Sequence, residues 1–271
     1  MAAAAAARQR LRILCFGDSL TEGYSSMGAV FHTYDEKMSQ MIQMAFPDRQ
    51  ITTEVDGLSG DTIWHGFLDR MKLHFPESNS NTDSNNNNNK KDGEGTSPYD
   101  WAIVLGGTND IAWGIPVDDI FRKLTEIWDI PLSRGCKVLA LTIPEAAISG
   151  KAKERTDMRR NKLNDLIKGY KKDNFHVYDL HAAVPYHAMS PADQQKYWDD
   201  HVHFTPKGYD LIGNKVGMAL VSVLVKQRVA DLPPAKRRRV FKNDDKMFDE
   251  ETGDPHAIDQ GYVVVRRIDL D

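Results

Sequence analysis

A chain of 271 residues, 41% hydrophobic and 27% charged, holds enough apolar material for one well-packed α/β domain with some extra chain. Its formal net charge of −4 removes the bulk electrostatic case for a nucleic-acid or membrane partner. No apolar run approaches the roughly 18 residues that span a bilayer, which argues against stable membrane anchoring.

In chain order, Met1 and six alanines precede Arg8-Gln9-Arg10. An export signal has its basic residues before the apolar run, so this order predicts a solvated extension and an intracellular, cytoplasmic protein. Leu11–Phe16 is an apolar run that reads as a buried first strand, with its core at Arg12–Phe16. Gly17-Asp18-Ser19 breaks it at the carboxyl end, where open parallel sheets bind their ligands. A serine at such a turn is presented to solvent, so Ser19 is a candidate nucleophile, although serine is also an ordinary turn residue. Tyr34–Phe46 carries helical apolar spacing at Met38, Met41, Ile42 and Ala45.

Ile51–Val55 is the second strand, followed by Gly57-Leu58-Ser59-Gly60-Asp61-Thr62 at the start of a helix. A glycine there lets a backbone N–H approach a bound oxygen, while the plainer reading is a strand-to-helix turn capped by Asp61 or Ser59. Residues 77–98, with the Asn85–Asn89 tract, lack the apolar side chains that offset chain ordering and are expected to form a disordered surface insertion.

Trp101–Leu105 is the third strand, ending in Gly106-Gly107-Thr108-Asn109-Asp110. The Asn109 carboxamide is a preorganised donor for a developing oxyanion, and Asp110 is placed to cap the next turn. Ile111 and Trp113 are either a pocket wall or ordinary core. Val117–Ser133 is helical, Lys137–Ile143 the fourth strand, Arg155–Tyr170 a helix and Phe175–Leu180 the fifth strand. Cys15 and Cys136, in or beside strands, read as buried free thiols of a reducing compartment.

The segment Trp198–Tyr209 places His203 just before a final helix, Phe204–Gln227, with Thr205 as its cap, Pro206 at its first position and Leu211, Val216, Leu220 and Leu224 turned inward. Asp200 can bond one ring nitrogen while the other takes a proton from Ser19. In an extended loop His201 and His203 point the same way, so spacing leaves both open. Residues 229–271 form a C-terminal extension; its Lys236–Arg239 run is either a nuclear address or a solvated charge run facing nearby acids. Strands alternating with helices predict a three-layer α/β/α sandwich on a parallel sheet, over residues 11–228.

Four blocks together, around Ser19, Gly60, Asn109 and His203, resemble the GDSL or SGNH hydrolase family over roughly residues 11–228. The resemblance implies a flavodoxin-like fold with five parallel strands in order 2-1-3-4-5. It places the Asp-x-x-His of the last block on Asp200 and His203, which selects His203; His201 stands where many relatives have glycine. It implies a Ser19–His203–Asp200 triad and an oxyanion hole from the N–H groups of Ser19 and Gly60 and the Asn109 side chain. The substrate would be a small-molecule ester with a short acyl or acetyl group, cleaved with no metal or organic cofactor. Lysophospholipase or thioesterase activity on the same machinery is the alternative within the family. A metal hydrolase using Asp199, Asp200, His201 and His203, and a catalytically silent binding module on the same fold, are the alternatives outside it.

Overall fold

The computed structural model describes residues 9–76 and 97–230. The alanine run, residues 77–96 of the Asn-rich insertion and the extension from 231, including Lys236–Arg239, lie outside the described residues.

The chain runs β1 (Gln9–Asp18), α1 (Ser19–Glu22), a two-strand ribbon β2 (Tyr24–Ser25) and β3 (Val30–Phe31), α2 (Asp35–Ala45) and β4 (Arg49–Leu58). A π-helical turn at Ile63–Phe67 leads into α3 (Leu68–His74). Then come β5 (Trp101–Leu105), α4 (Thr108–Trp113), α5 (Val117–Ser133), β6 (Lys137–Leu141), α6 (Gly150–Gly169) and β7 (Phe175–Tyr178). The short α7 (Leu180–Ala183) and α8 (Pro191–Tyr197) precede α9 (Pro206–Ala230). The main sheet is parallel in all four pairings and ordered β4-β1-β5-β6-β7, the expected 2-1-3-4-5.

Parallel strands covered on both faces read as continuous apolar runs because neither side chain parity meets water. Leu14, Phe16, Ala102, Val104, Val138 and Ala140 share one core with Phe67 and Met71 before and in α3, Ile120, Ile127 and Trp128 of α5, and Leu163 of α6. The alternate residues Ile13, Cys15, Ile103 and Leu139 are buried on the other face. That side is covered by α2, which packs on β4 and, through Tyr34 and Met38, against Gly213 of α9. Both cysteines are free and buried.

Element ends shift where pairing or a cap overrides composition. β4 runs on to Leu58 because it pairs with β1 over ten residues. β7 stops at Tyr178, since Asp179 accepts from Ala182 N–H and turns Leu180 into helix. On α9 Tyr209, Ile212, Val216, Leu220 and Leu224 are buried, whereas Leu211 is only half-buried. Against the expectation from apolar runs, the 24 residues Pro206–Val229 are long and apolar enough to cross a membrane by length and composition. One face of α9, including Tyr209, Ile212, Val216 and Leu220, is buried. The described residues up to Val223 form one compact unit; the second begins at Leu224, and its described residues are the end of α9.

Candidate active site

Ser19 is the first residue of α1, immediately beyond β1, and is 5% exposed. The chain turns into α1 because Asp18 caps it, accepting the Leu20 N–H at 3.0 Å. Room for that turn depends on Gly17: a β-carbon there would lie 2.2 Å from Thr21 Oγ1 and 2.5 Å from the Leu105 carbonyl oxygen. Asp18 is fully buried, and burial pushes its carboxyl up to about 7 despite the Leu20 N–H.

Ser19 Oγ lies 2.9 Å from His203 Nε2. His203 Nδ1 lies 2.8 Å from Asp200 Oδ2. The other oxygen of Asp200 accepts the N–H groups of Val202 and His203, both at 2.7 Å. Burial raises the Asp200 carboxyl, but the His203 N–H, the His203 ring and the Val202 N–H outweigh it and hold the group below the ordinary carboxylate range. Tyr24 packs on the His203 ring, centroids 4.5 Å apart.

The segment at 199–203 is therefore a tight turn around Asp200 rather than an extended loop, and this separates the two histidines. His201 Nδ1 lies 2.8 Å from the Ala147 carbonyl oxygen, and the Ala147 N–H bonds back to His201 O at 2.8 Å. Asp199 accepts the Ser26 N–H at 2.6 Å. Asp199, His201 and the Asp200–His203 pair thus turn to different partners, and they form no group of three or more metal-ligating side chains among the described residues.

Gly60 sits at φ +78°, a left-handed conformation that suits glycine, and no atom lies within 4 Å of where its β-carbon would be. Glu22 of α1 holds this turn by accepting from both the N–H (2.9 Å) and the hydroxyl of Ser59. Asn109 stands in the first turn of α4 and donates one Nδ2 hydrogen to the Asp61 carbonyl oxygen at 2.8 Å. That bond orients the carboxamide and leaves its second hydrogen for another acceptor.

The helix after Thr62 is capped neither by Asp61 nor by Ser59. Asp110, 1% exposed, accepts the N–H groups of Ile63 (3.0 Å) and Trp64 (3.2 Å) from across the site. Burial raises its carboxyl, partly offset by those two N–H groups. Asp61 instead bonds its neighbour Thr62 and Arg70, the latter at 2.6 Å.

Arg70 of α3 is a positioning residue with no sequence signal beyond its helical setting. It reaches Asp56 at 2.6 Å, the Gly17 carbonyl at 3.1 Å and Asp61, and its guanidinium lies 4.7 Å from the Phe16 ring centroid. One partly buried cation thereby ties together the ends of β1 and β4 and the loop that orients Asn109.

A small cleft beside these residues is lined by Leu20, Thr108, Ile111, Ile143, Arg160 and Val202, among others. Ile111 both packs in the main core and lines this cleft, whereas Trp113 is 80% exposed and in neither. A larger concavity runs along β7 among Lys168, Lys172 and His176 and includes none of the candidate residues. His181 is half buried, and burial followed by the nearby Arg160 lowers its pKa.

The model of the GDSL-like lipase/acylhydrolase family matches residues 15–211. Among solved structures, the acetyl xylan esterase AlAXEase is similar at 18% identity and TM-score 0.53, with 78% of this chain and 100% of that one covered. A member of the lipolytic G-D-S-L family from Veillonella parvula is similar at 19% identity and TM-score 0.53, covering 80% and 99%. The lipase Lip_vut3 from a goat rumen metagenome is similar at 14% identity and TM-score 0.54, covering 77% and 97%. No curated protein matches by sequence. At these identities the structural likenesses establish the shared α/β fold.

Proposed function

The chain belongs to the GDSL-like lipase/acylhydrolase family and is a carboxylic-ester hydrolase; from that premise we propose that it works through an acyl-enzyme formed on Ser19, with short acyl esters as substrates. The observation that carries this reading is the unbroken relay from Ser19 Oγ through His203 to Asp200, at 2.9 and 2.8 Å.

Ser19 attacks the ester carbonyl while His203 Nε2 takes its proton. Asp200, kept ionised by its N–H donors, fixes the ring tautomer and stabilises the imidazolium. The tetrahedral oxyanion is held by the Ser19 N–H, the Gly60 N–H and the second hydrogen of Asn109 Nδ2. Three donors in place of two suit a shallow site that excludes water poorly. His203 then protonates the leaving alkoxide and activates the water that frees the acyl group.

The preference for short chains is supported by the small cleft beside Leu20 and Ile111. A series of 4-nitrophenyl esters from acetate to palmitate tests both points in one experiment. The wild type is expected to favour the short acyl groups, and Ser19→Ala to lose at least about 10³-fold in kcat. A fluorophosphonate is expected to label Ser19. Unchanged hydrolysis by Ser19→Ala would overturn the mechanism, and an optimum at palmitate would overturn the substrate class.

A further inference from the structure

The cleft beside Ser19 is built from the neighbours of the reacting groups. Leu20 follows Ser19, Thr108 precedes Asn109, and Val202 precedes His203. Ile111 and Ile143 make its wall apolar. Thr108, Glu145, Thr156 and Arg160 interrupt that wall, and two of them, Thr108 and Arg160, carry a buried donor atom without a partner.

Arg160, on α6, is 3% exposed. Its Nη2 donates to Asn161 Oδ1 at 3.1 Å. Its Nη1 is ion-paired with Asp157 Oδ1 at 2.9 Å, and Nε has no partner. Thr108 Oγ1 is also buried and without a partner. A buried donor left unpaired costs about 1–3 kcal/mol, so Arg160 Nε and Thr108 Oγ1 in one wall mark a place where an acceptor belongs.

The local charges decide what kind of acceptor fits. Asp157 faces Arg160 and is itself paired with Lys153. Glu145 lines the same cleft and accepts the His187 N–H at 2.8 Å. His181, whose pKa is lowered by burial and by Arg160, lies within the same field. The cluster therefore offers directed N–H and O–H donors rather than a strong net positive field. A guanidinium presents such donors in a fixed fork.

We propose that this cleft is the acyl subsite, and that Arg160 with Thr108 selects short acyl groups carrying a hydrogen-bond-accepting oxygen beyond the scissile carbonyl: a hydroxy or oxo group, or a second carboxylate. The acyl side is assigned because the cleft lies between Leu20, next to the residue that keeps the acyl group, and Thr108 and Ile111, which flank Asn109. This inference rests on the serine-hydrolase reading above.

The test uses the full chain and one leaving group. Rates are compared for the 4-nitrophenyl esters of butyrate, 3-hydroxybutyrate and succinate, the last two separating a neutral oxygen from a charged one. The wild type is expected to favour at least one oxygenated ester over butyrate by about tenfold or more in kcat/KM, the scale of one well-placed hydrogen bond in a closed site. That ratio is expected to fall to near one in Arg160→Met and part of the way in Thr108→Val. The second variant keeps the test decisive if the first does not fold, because it removes a hydroxyl at constant shape. A wild type indifferent to the oxygen, or folded variants that keep the preference, would overturn the subsite. Failure of all three esters to react would instead count against the serine reading. Melting of Ser19→Ala with succinate, 3-hydroxybutyrate or butyrate then reads the cleft on its own: equal shifts with all three acids overturn the proposal.

Discussion

Asp18 occupies a costly position. It must cap α1 so that Ser19 is presented correctly, yet it is fully buried with Oδ2 unpartnered, and its carboxyl is pushed up to about 7. In the unfolded chain an aspartate ionises near pH 4, so between about 4 and 7 the unfolded state releases this proton while the folded state holds it. Stability contributed by protonated Asp18 is therefore full at acid pH and lost as pH rises toward 7. Asp18→Asn keeps the cap and removes the titration. Urea unfolding at pH 4.5 and 7.5 should show the variant gaining on the wild type at the higher pH by a few kcal/mol, at about 1.4 kcal/mol for each tenfold difference in acidity between the folded and unfolded carboxyl. A difference independent of pH would show that Asp18 is not held protonated. At this scale the candidate catalytic residues are legible because each sits in a short motif at a strand end. Asp110 is not, because it caps a helix that begins 47 residues earlier; nor is Arg70, whose partners Gly17, Asp56 and Asp61 lie on three different segments.

Among the elements, α9 shows how a helix can be located from sequence, with ends two to three residues off, yet incompletely read in packing. Gly213 and Gly217 look like helix-weakening residues in the sequence. In the fold they let α9 approach α2: a β-carbon at Gly213 would lie 2.3 Å from the Tyr34 carbonyl oxygen, and one at Gly217 would lie 2.9 Å from Met41 Cβ. Gly213→Ala is expected to destabilise the protein by about 1–3 kcal/mol, because overpacking against backbone outweighs the better helix propensity. Gly169→Ala, at the end of α6 with nothing within 4 Å, is the control and should be neutral or slightly stabilising. Denaturant midpoints of the two variants check this, and equal effects would mean that α9 and α2 are not held in close contact. The β2–β3 ribbon has no counterpart in the sequence reading. It is two residues per strand, too short for a period of two to register, yet its Tyr24 packs on His203.

The whole molecule brings strand ends together along one edge of a five-stranded sheet, and the Asn-rich insertion before β5 is poor in apolar side chains by composition. Replacing residues 78–95 with eight Gly/Ser residues is expected to change stability by less than about 1 kcal/mol, since loop-closure entropy varies only with the logarithm of length. Esterase activity should be unchanged; a loss of activity with the fold intact would give the insertion a role at the site. The sequence by itself determined the fold class, the strand order through its family resemblance, and Ser19, Gly60, Asn109, Asp200 and His203 as the candidates. Burial periodicity, turn chemistry and motif spacing are local properties, and they survive in one dimension. Only the tertiary structure decided that His201 turns away to Ala147, that Asp110 and Arg70 brace the site, and that Arg160 lines the cleft beside Ser19 with its Nε unpartnered. Those facts depend on which distant segments meet, and hydrogen bonds and buried charges are satisfied across space rather than along the chain.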